Sequence, residues 1–215
     1  PSTPSYYTIT AVDNQGNNTS INLTQGYLGE TQVSVSPSSL IVPATGGEYD
    51  VKFNWINQGD NDMRYSYATG DVTATAFGID SYDATISVTN SDEPDAVISG
   101  KVLFINDLTT IEVGIDQIPQ SLSFGKEGGE YEFTFNHNTN VKYNNLPYWI
   151  NMDGNKMKVL PNIYETARRS KITLSNGSSS ADVQIYQEEN KNMYNDMVTP
   201  ENMYFNSGGG LQYIN

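Results

Sequence analysis

The chain has 215 residues, with 25 Asp and Glu against 11 Lys and Arg, a formal net charge of −14, one His and no Cys. That length admits two ordinary domains. The acidity excludes a nucleic-acid surface, which needs clustered Lys and Arg, and the missing Cys excludes disulfides and thiolate chemistry.

In chain order, the first pattern is a hairpin. Tyr7 to Ala11 alternates, Asp13-Asn14-Gln15-Gly16 turns, and Ser20 to Gln25 alternates back. Val33-Ser34-Val35 follows, then a frame of Pro37-Ser38-Ser39-Leu40 with Gly46-Gly47. Tyr49-Asp50-Val51-Lys52-Phe53 puts Tyr49, Val51 and Phe53 on one face and Lys52 on the other. Period-2 segments continue at Val72–Thr75 and Ile86–Val88. A second frame, Pro119-Gln120-Ser121-Leu122 with Gly128-Gly129, precedes Tyr131-Glu132-Phe133-Thr134-Phe135. There Tyr131, Phe133 and Phe135 are expected inside, and Glu132 and Thr134 outside. After Asp153-Gly154-Asn155, the segments Ile172–Leu174 and Val183–Ile185 flank the turn pair Asn176-Gly177. Residues 188–198 read as a linker, and a third frame closes the survey: Pro200-Glu201-Asn202-Met203 with Gly209-Gly210. Period-2 runs rich in Val, Ile, Thr, Tyr and Phe, separated by Asn/Gly turns, are half-buried antiparallel strands. No segment has helical spacing, and none has the 18 apolar residues of a membrane span.

The three prolines lie 82 (119 − 37) and 81 (200 − 119) residues apart. A fixed period marks an array of one module. Short strands in a module of this size predict an all-β fold of tandem immunoglobulin-like antiparallel β-sandwiches. The phasing gives residues 1–28 as the terminal hairpin of an incomplete preceding repeat and 32–107 as repeat one. Repeat two is 116–188, and 189–215 are a linker and the first strands of an incomplete third repeat. The Pro1 start fits an excised or processed part of something longer. The terminal strands are expected to pair with other copies or with neighbouring β-domains.

Repeat two resembles the BACON family, small immunoglobulin-like sandwiches of Bacteroidetes proteins and their phages. The likeness rests on Ser121-Leu122-Ser123-Phe124, Gly128-Gly129, Phe135-Asn136, Trp149-Ile150, the Arg168–Thr173 segment and Gln187. Repeat one shares the opening and the Gly-Gly. It lacks a matching Trp-Ile, lacks an Arg before Ile86, and reads as closing without the Gln. The resemblance implies contact with carbohydrate or mucin glycans, and it brings no catalytic residues.

With His137 as the sole histidine, read as an exposed loop residue, a multi-histidine site is unavailable and a Ser-His-Asp arrangement severely limited. The chain is expected not to be an enzyme. Trp55, Tyr65 and Tyr67 flank the Asn57–Asp62 loop and, with Asn57, Asp60 and Tyr148, are the candidate sugar contacts. Aromatic rings can stack on a pyranose while amides and carboxylates bond its hydroxyls, but the same aromatics could fill a core. Asp60, Asp62 and Asp13 offer closely spaced oxygens and are the candidate calcium ligands. The function expected is a non-catalytic surface or secreted binding module. The alternative is a structural spacer, fibre or decoration component of a phage virion.

Overall fold

The computed structural model describes residues 5–25, 30–93 and 95–191. The strands expected at 202–206 and 211–214, like the rest of 192–215, lie outside the described residues. Among the described residues every regular element is a strand, and none is a helix long and apolar enough to cross a membrane.

A two-stranded hairpin comes first: β1 (Ser5–Val12) antiparallel to β2 (Asn18–Gln25), with Ile9 opposite Ile21. The first sandwich follows with β3 (Gln32–Ser36), β4 (Ser39–Pro43), β5 (Gly47–Ile56), β6 (Tyr65–Gly70), β7 (Ala74–Phe77), β8 (Asp83–Val88), β9 (Ile98–Ile105) and β10 (Thr110–Ile118). Its sheets run β3-β5-β8-β7 and β4-β10-β9-β6. The second sandwich comprises β11 (Ser121–Phe124), β12 (Gly129–Glu132), β13 (Lys142–Asn144), β14 (Ile150–Asp153), β15 (Lys156–Val159), β16 (Arg168–Ser175) and β17 (Ser180–Gln187). Its sheets run β11-β17-β16-β13 and β12-β15-β14. Each unit is an immunoglobulin-like β-sandwich. The ladders are antiparallel except where the opening strand meets the closing one: β4 with β10 and β11 with β17 are parallel.

The hydrogen bonds align the two sandwiches residue by residue. Gly46 N–H donates to Pro43 O as Gly128 N–H does to Gly125 O, at 2.9 and 3.0 Å. Thr89 N–H donates to Thr73 O as Leu160 N–H does to Trp149 O, at 3.0 and 2.9 Å. At Gly46 (φ 74°) and Gly128 (φ 78°) the backbone is left-handed, and a Cβ would collide with the carbonyl oxygens of Val88 and Val159 respectively. Only glycine fits such a position, which is why the Gly-Gly pair marks each module.

This alignment corrects the first module's boundary. Its closing strand is β10, so the unit runs to Ile118, not 107. The strand matching Arg168–Ser175 is β9, not the Ile86 segment. Repeat one also closes with a Gln: Gln117 Nε2 donates to the carbonyls of Pro43, Ala44 and Thr89 at 3.1, 3.1 and 2.9 Å. Gln187 Nε2 makes the same three bonds, to Gly125, Lys126 and Leu160. Trp149 and Arg168, whose guanidinium lies 4.5 Å over the indole, align with Thr73 and Ile98. The first module has neither member of that pair.

Alternation places the core faces as expected. Val51, Phe53 and Phe133 are buried, Tyr49, Tyr131 and Phe135 half-buried, and Lys52, Glu132 and Thr134 exposed. The strand carrying Tyr131 ends at Glu132, short of Phe135. Phe133 meets Tyr131 edge-on with ring centroids 4.8 Å apart, a favourable aromatic geometry.

Candidate functional site: the junction and the tyrosine face

No free linker separates the sandwiches. β10 ends at Ile118 and β11 begins at Ser121. In β4 the residues Leu40, Ile41 and Val42 are all buried. Leu40 and Val42 face their own sandwich, while Ile41, with Ile118, belongs to the apolar core of the second. Continuous burial in place of alternation is the mark of a strand covered on both faces.

Asp116, on the outward face of β10, is fully buried. Its Oδ1 accepts from Ser99 Oγ and, at 3.1 Å, from Asn136 N–H. Its Oδ2 accepts from the N–H groups of His137 and Asn138, both at 3.0 Å, and from Asn138 Nδ2 at 2.8 Å. A buried carboxylate is costly unless hydrogen-bonded, and this one is met by donors from both modules. His137 is therefore not a free loop residue. It is half-buried against Gly114, where any Cβ would overlap its ring.

A second set of bonds surrounds the first. Asn138 Nδ2 also donates to Leu40 O at 3.1 Å, and Asn176 Nδ2 donates to Ser39 O at 3.0 Å and Asn138 Oδ1 at 2.6 Å. Ile41 N–H donates to Ser179 Oγ, and Tyr131 Oη to Asp95 O. The second module's 136–138 and 176–179 loops thus sit on the outer face of β4 and β10. A loop that satisfies backbone groups across an interface fixes orientation as well as contact.

The predicted sugar contacts do not converge. Trp55 shares the inward face of β5 with Val51 and Phe53; it packs against the core and its Nε1 donates to Ser81 O at 2.6 Å. Tyr65 and Tyr67 lie on β6 in the other sheet and point outward, 53% and 52% exposed. Trp55 and the two tyrosines therefore cannot line one platform, because Trp55 points into the core and the tyrosines point to solvent from the far side of the other sheet. The tyrosines stand beside Ile105 and Leu103, their β9 partners. Asn57 adopts φ 54° and its carbonyl accepts from Thr31 Oγ1, a strand-end role. Tyr148, 76% exposed, lies on the second module, away from Tyr65 and Tyr67.

The candidate calcium ligands have protein donors. Asp13 accepts from Asn17 Nδ2 and from the N–H groups of Asn17 and Gln15, all at 2.8 Å. Those bonds hold its carboxyl below the usual range, led by the Asn17 side chain. Asp62 Oδ1 accepts from Ser81 Oγ at 2.6 Å and Gln58 Nε2 at 3.2 Å. Asp60 is exposed in the same loop. Among the described residues no three carboxylates or histidines gather as a metal site.

No family model matches the chain, and no curated protein matches it. Solved structures do. An endo-fucoidan hydrolase of glycoside hydrolase family 107 is 11% identical over 87% of this chain and 34% of its own, with TM-score 0.30. A Bacteroides ovatus family 5 xyloglucanase in complex with a heptasaccharide is 14% identical over 42% of this chain and 19% of its own, TM-score 0.32. A three-immunoglobulin fragment of titin is 11% identical over 86% and 74%, TM-score 0.32. The chain spans about a third of the fucoidan hydrolase. With TM-scores near 0.3 these likenesses carry no argument, and the fold is assigned by the strand order above.

The sequence marks Asn176 only as a turn residue, and Asp116, Asn138 and Gln117 do not stand out in it. One signal was available for the last: Ile21-x-Leu23-x-Gln25, Val113-x-Ile115-x-Gln117 and Val183-x-Ile185-x-Gln187 are one closing motif in three copies.

Proposed function

We propose that the chain is a non-catalytic, rigid segment of an extended sandwich array, set on a bacterial surface or a virion, whose first duty is spacing and presentation. The observation that carries this reading is Asp116, which is buried at the junction and bonded by donors of both modules. Flexible tethers leave such interfaces small and wet; a buried carboxylate shared between modules is the opposite arrangement. Small-angle scattering of the full chain tests it. A single relative orientation of the sandwiches should fit the profile, and Asp116→Ala should require a distribution of bends. A broad distribution in the unaltered chain would overturn the reading.

Carbohydrate contact is the second reading, favoured by Tyr65 and Tyr67 side by side on an exposed strand and by the BACON resemblance. Residues two apart on a strand stand about 7 Å apart, a spacing suited to successive sugar rings. Glycan-array binding lost in Tyr65→Ala/Tyr67→Ala and kept in Trp55→Phe would support it. Binding indifferent to both tyrosines would sink it.

A further inference from the structure

The junction is a constellation of three parts. Closing strand β10 pairs in parallel with opening strand β4, Gly114 opposite Ser39 and Ile115 opposite Leu40. The Ser39 carbonyl, on that opening strand, accepts from Asn176 in the closing hairpin of the next module.

A second instance of this constellation holds two of the three parts. The first is the hairpin of β1 and β2. Its pairs Ile9–Ile21, Tyr7–Leu23 and Ser5–Gln25 match Val102–Val113, Gly100–Ile115 and Ile98–Gln117 in the first sandwich. They equally match Ile172–Val183, Ser170–Ile185 and Arg168–Gln187 in the second. In both sandwiches the face at these positions is covered. In the hairpin, Tyr7, Ile9, Ile21 and Leu23 are exposed. A lone two-stranded hairpin is marginal in water.

The second part is Asn106, the counterpart of Asn176. Each donates its N–H to the carbonyl three residues on, Thr109 and Ser179. Each Oδ1 accepts from the N–H groups two and three residues on. Asn176 Nδ2 has its carbonyl across the junction. Asn106 is 7% exposed, and its Nδ2 is buried with no partner among the described residues. A buried amide donor calls for an acceptor, and the position of Asn106 says which: the carbonyl of an opening strand.

The chain carries three opening frames. β4 and β11 account for two, and the third is Pro200-Glu201-Asn202-Met203 with Gly209-Gly210. We propose that this third frame, from a second copy, adds in parallel to β2, so that copies link head to tail. The register transfers directly: Asn202 opposite Asn22, Met203 opposite Leu23, and the Asn202 carbonyl facing Asn106 Nδ2. The occupant proposed is the tail of a second copy, and the internal disulfide tested below distinguishes it from this copy's own tail. A head-to-tail contact of unlike surfaces builds rings or filaments, so this deepens the array reading and rests on it. That reading itself needs only the fixed junction and survives if assembly fails.

The chain has no Cys, so disulfide trapping is clean. Full-length Asn22→Cys and Asn202→Cys proteins are mixed under mild oxidation. The expected result is a disulfide-linked dimer from the mixture, lost when Met203→Cys replaces Asn202→Cys, because that side chain belongs to the other face. The dimer should also be lost in an Asn106→Asp background, which keeps the Oδ1 acceptor and removes the Nδ2 donor. Yields equal to the out-of-register pair would overturn the proposal. So would a monomeric internal disulfide in the Asn22→Cys/Asn202→Cys double variant.

Discussion

Asp116 of the first sandwich and Asn138 of the second are joined twice, through Asn138 N–H at 3.0 Å and Asn138 Nδ2 at 2.8 Å, both to the same carboxylate oxygen. The pair ties the two modules together, because separating them would exchange both of these bonds for water.

Asp116→Ala should therefore loosen the junction more than it perturbs either core. The N–H groups of Asn136, His137 and Asn138 lose their acceptor, at about 1–3 kcal/mol for each donor left buried. Amide hydrogen exchange should quicken at 136–138 and 176–179 and stay slow in β9 and β16. Uniform quickening across both sandwiches would contradict this.

Gln117→Leu and Gln187→Leu should each cost at least about 2 kcal/mol, since each removes the three bonds from Nε2 to turn carbonyls in a buried place. Gln187→Leu should cost more, because Gln187 Oε1 also accepts from Arg168 Nε at 2.7 Å, where the first module has Ile98. Urea unfolding measures both. A neutral Gln117→Leu would show that the first module is closed in some other way.

Phe133→Ala should cost about 3–5 kcal/mol, as expected of a fully buried aromatic; its ring packs near Tyr131, Phe135 and Tyr143. Phe135→Ala should cost less, because Phe135 is half-buried. The reverse order in denaturant midpoints would mean that the core face is misassigned.

Asp182 gives the pH dependence a sign. Hydrogen bonds from Lys171 first, then Thr173, hold its carboxyl below the usual range. Its contribution is present above the unfolded carboxylate value, about 3.9, and is lost as pH falls through the lower folded value. The group is partly exposed, so Asp182→Asn should cost under about 1 kcal/mol at pH 7. That difference should vanish in strong acid. A penalty that grows on acidification would contradict it.

Much of the fold was legible because period 2 and the left-handed glycine turns are local signals. Val51, Phe53 and Phe133 could be placed inside from alternation, and Gly46 and Gly128 from their frame. The junction was not legible. Asp116 reads as one more polar strand residue until the second module is placed on it, and Ile41 breaks alternation only because that module covers it. The aromatic grouping misled for a related reason: Trp55 and Tyr65 are ten positions apart in sequence but belong to different sheets, Trp55 turned into the core and Tyr65 turned to solvent. The missed closing Gln117 followed from ending the module one strand early, at 107.

The central claim is that residues 32–187 move as one body. Residual dipolar couplings of backbone amides, measured on the full chain in weak alignment, test it most directly. One alignment tensor should fit the amides of 32–118 and of 119–187 together in the orientation described. Two tensors of different magnitude or direction would contradict the account.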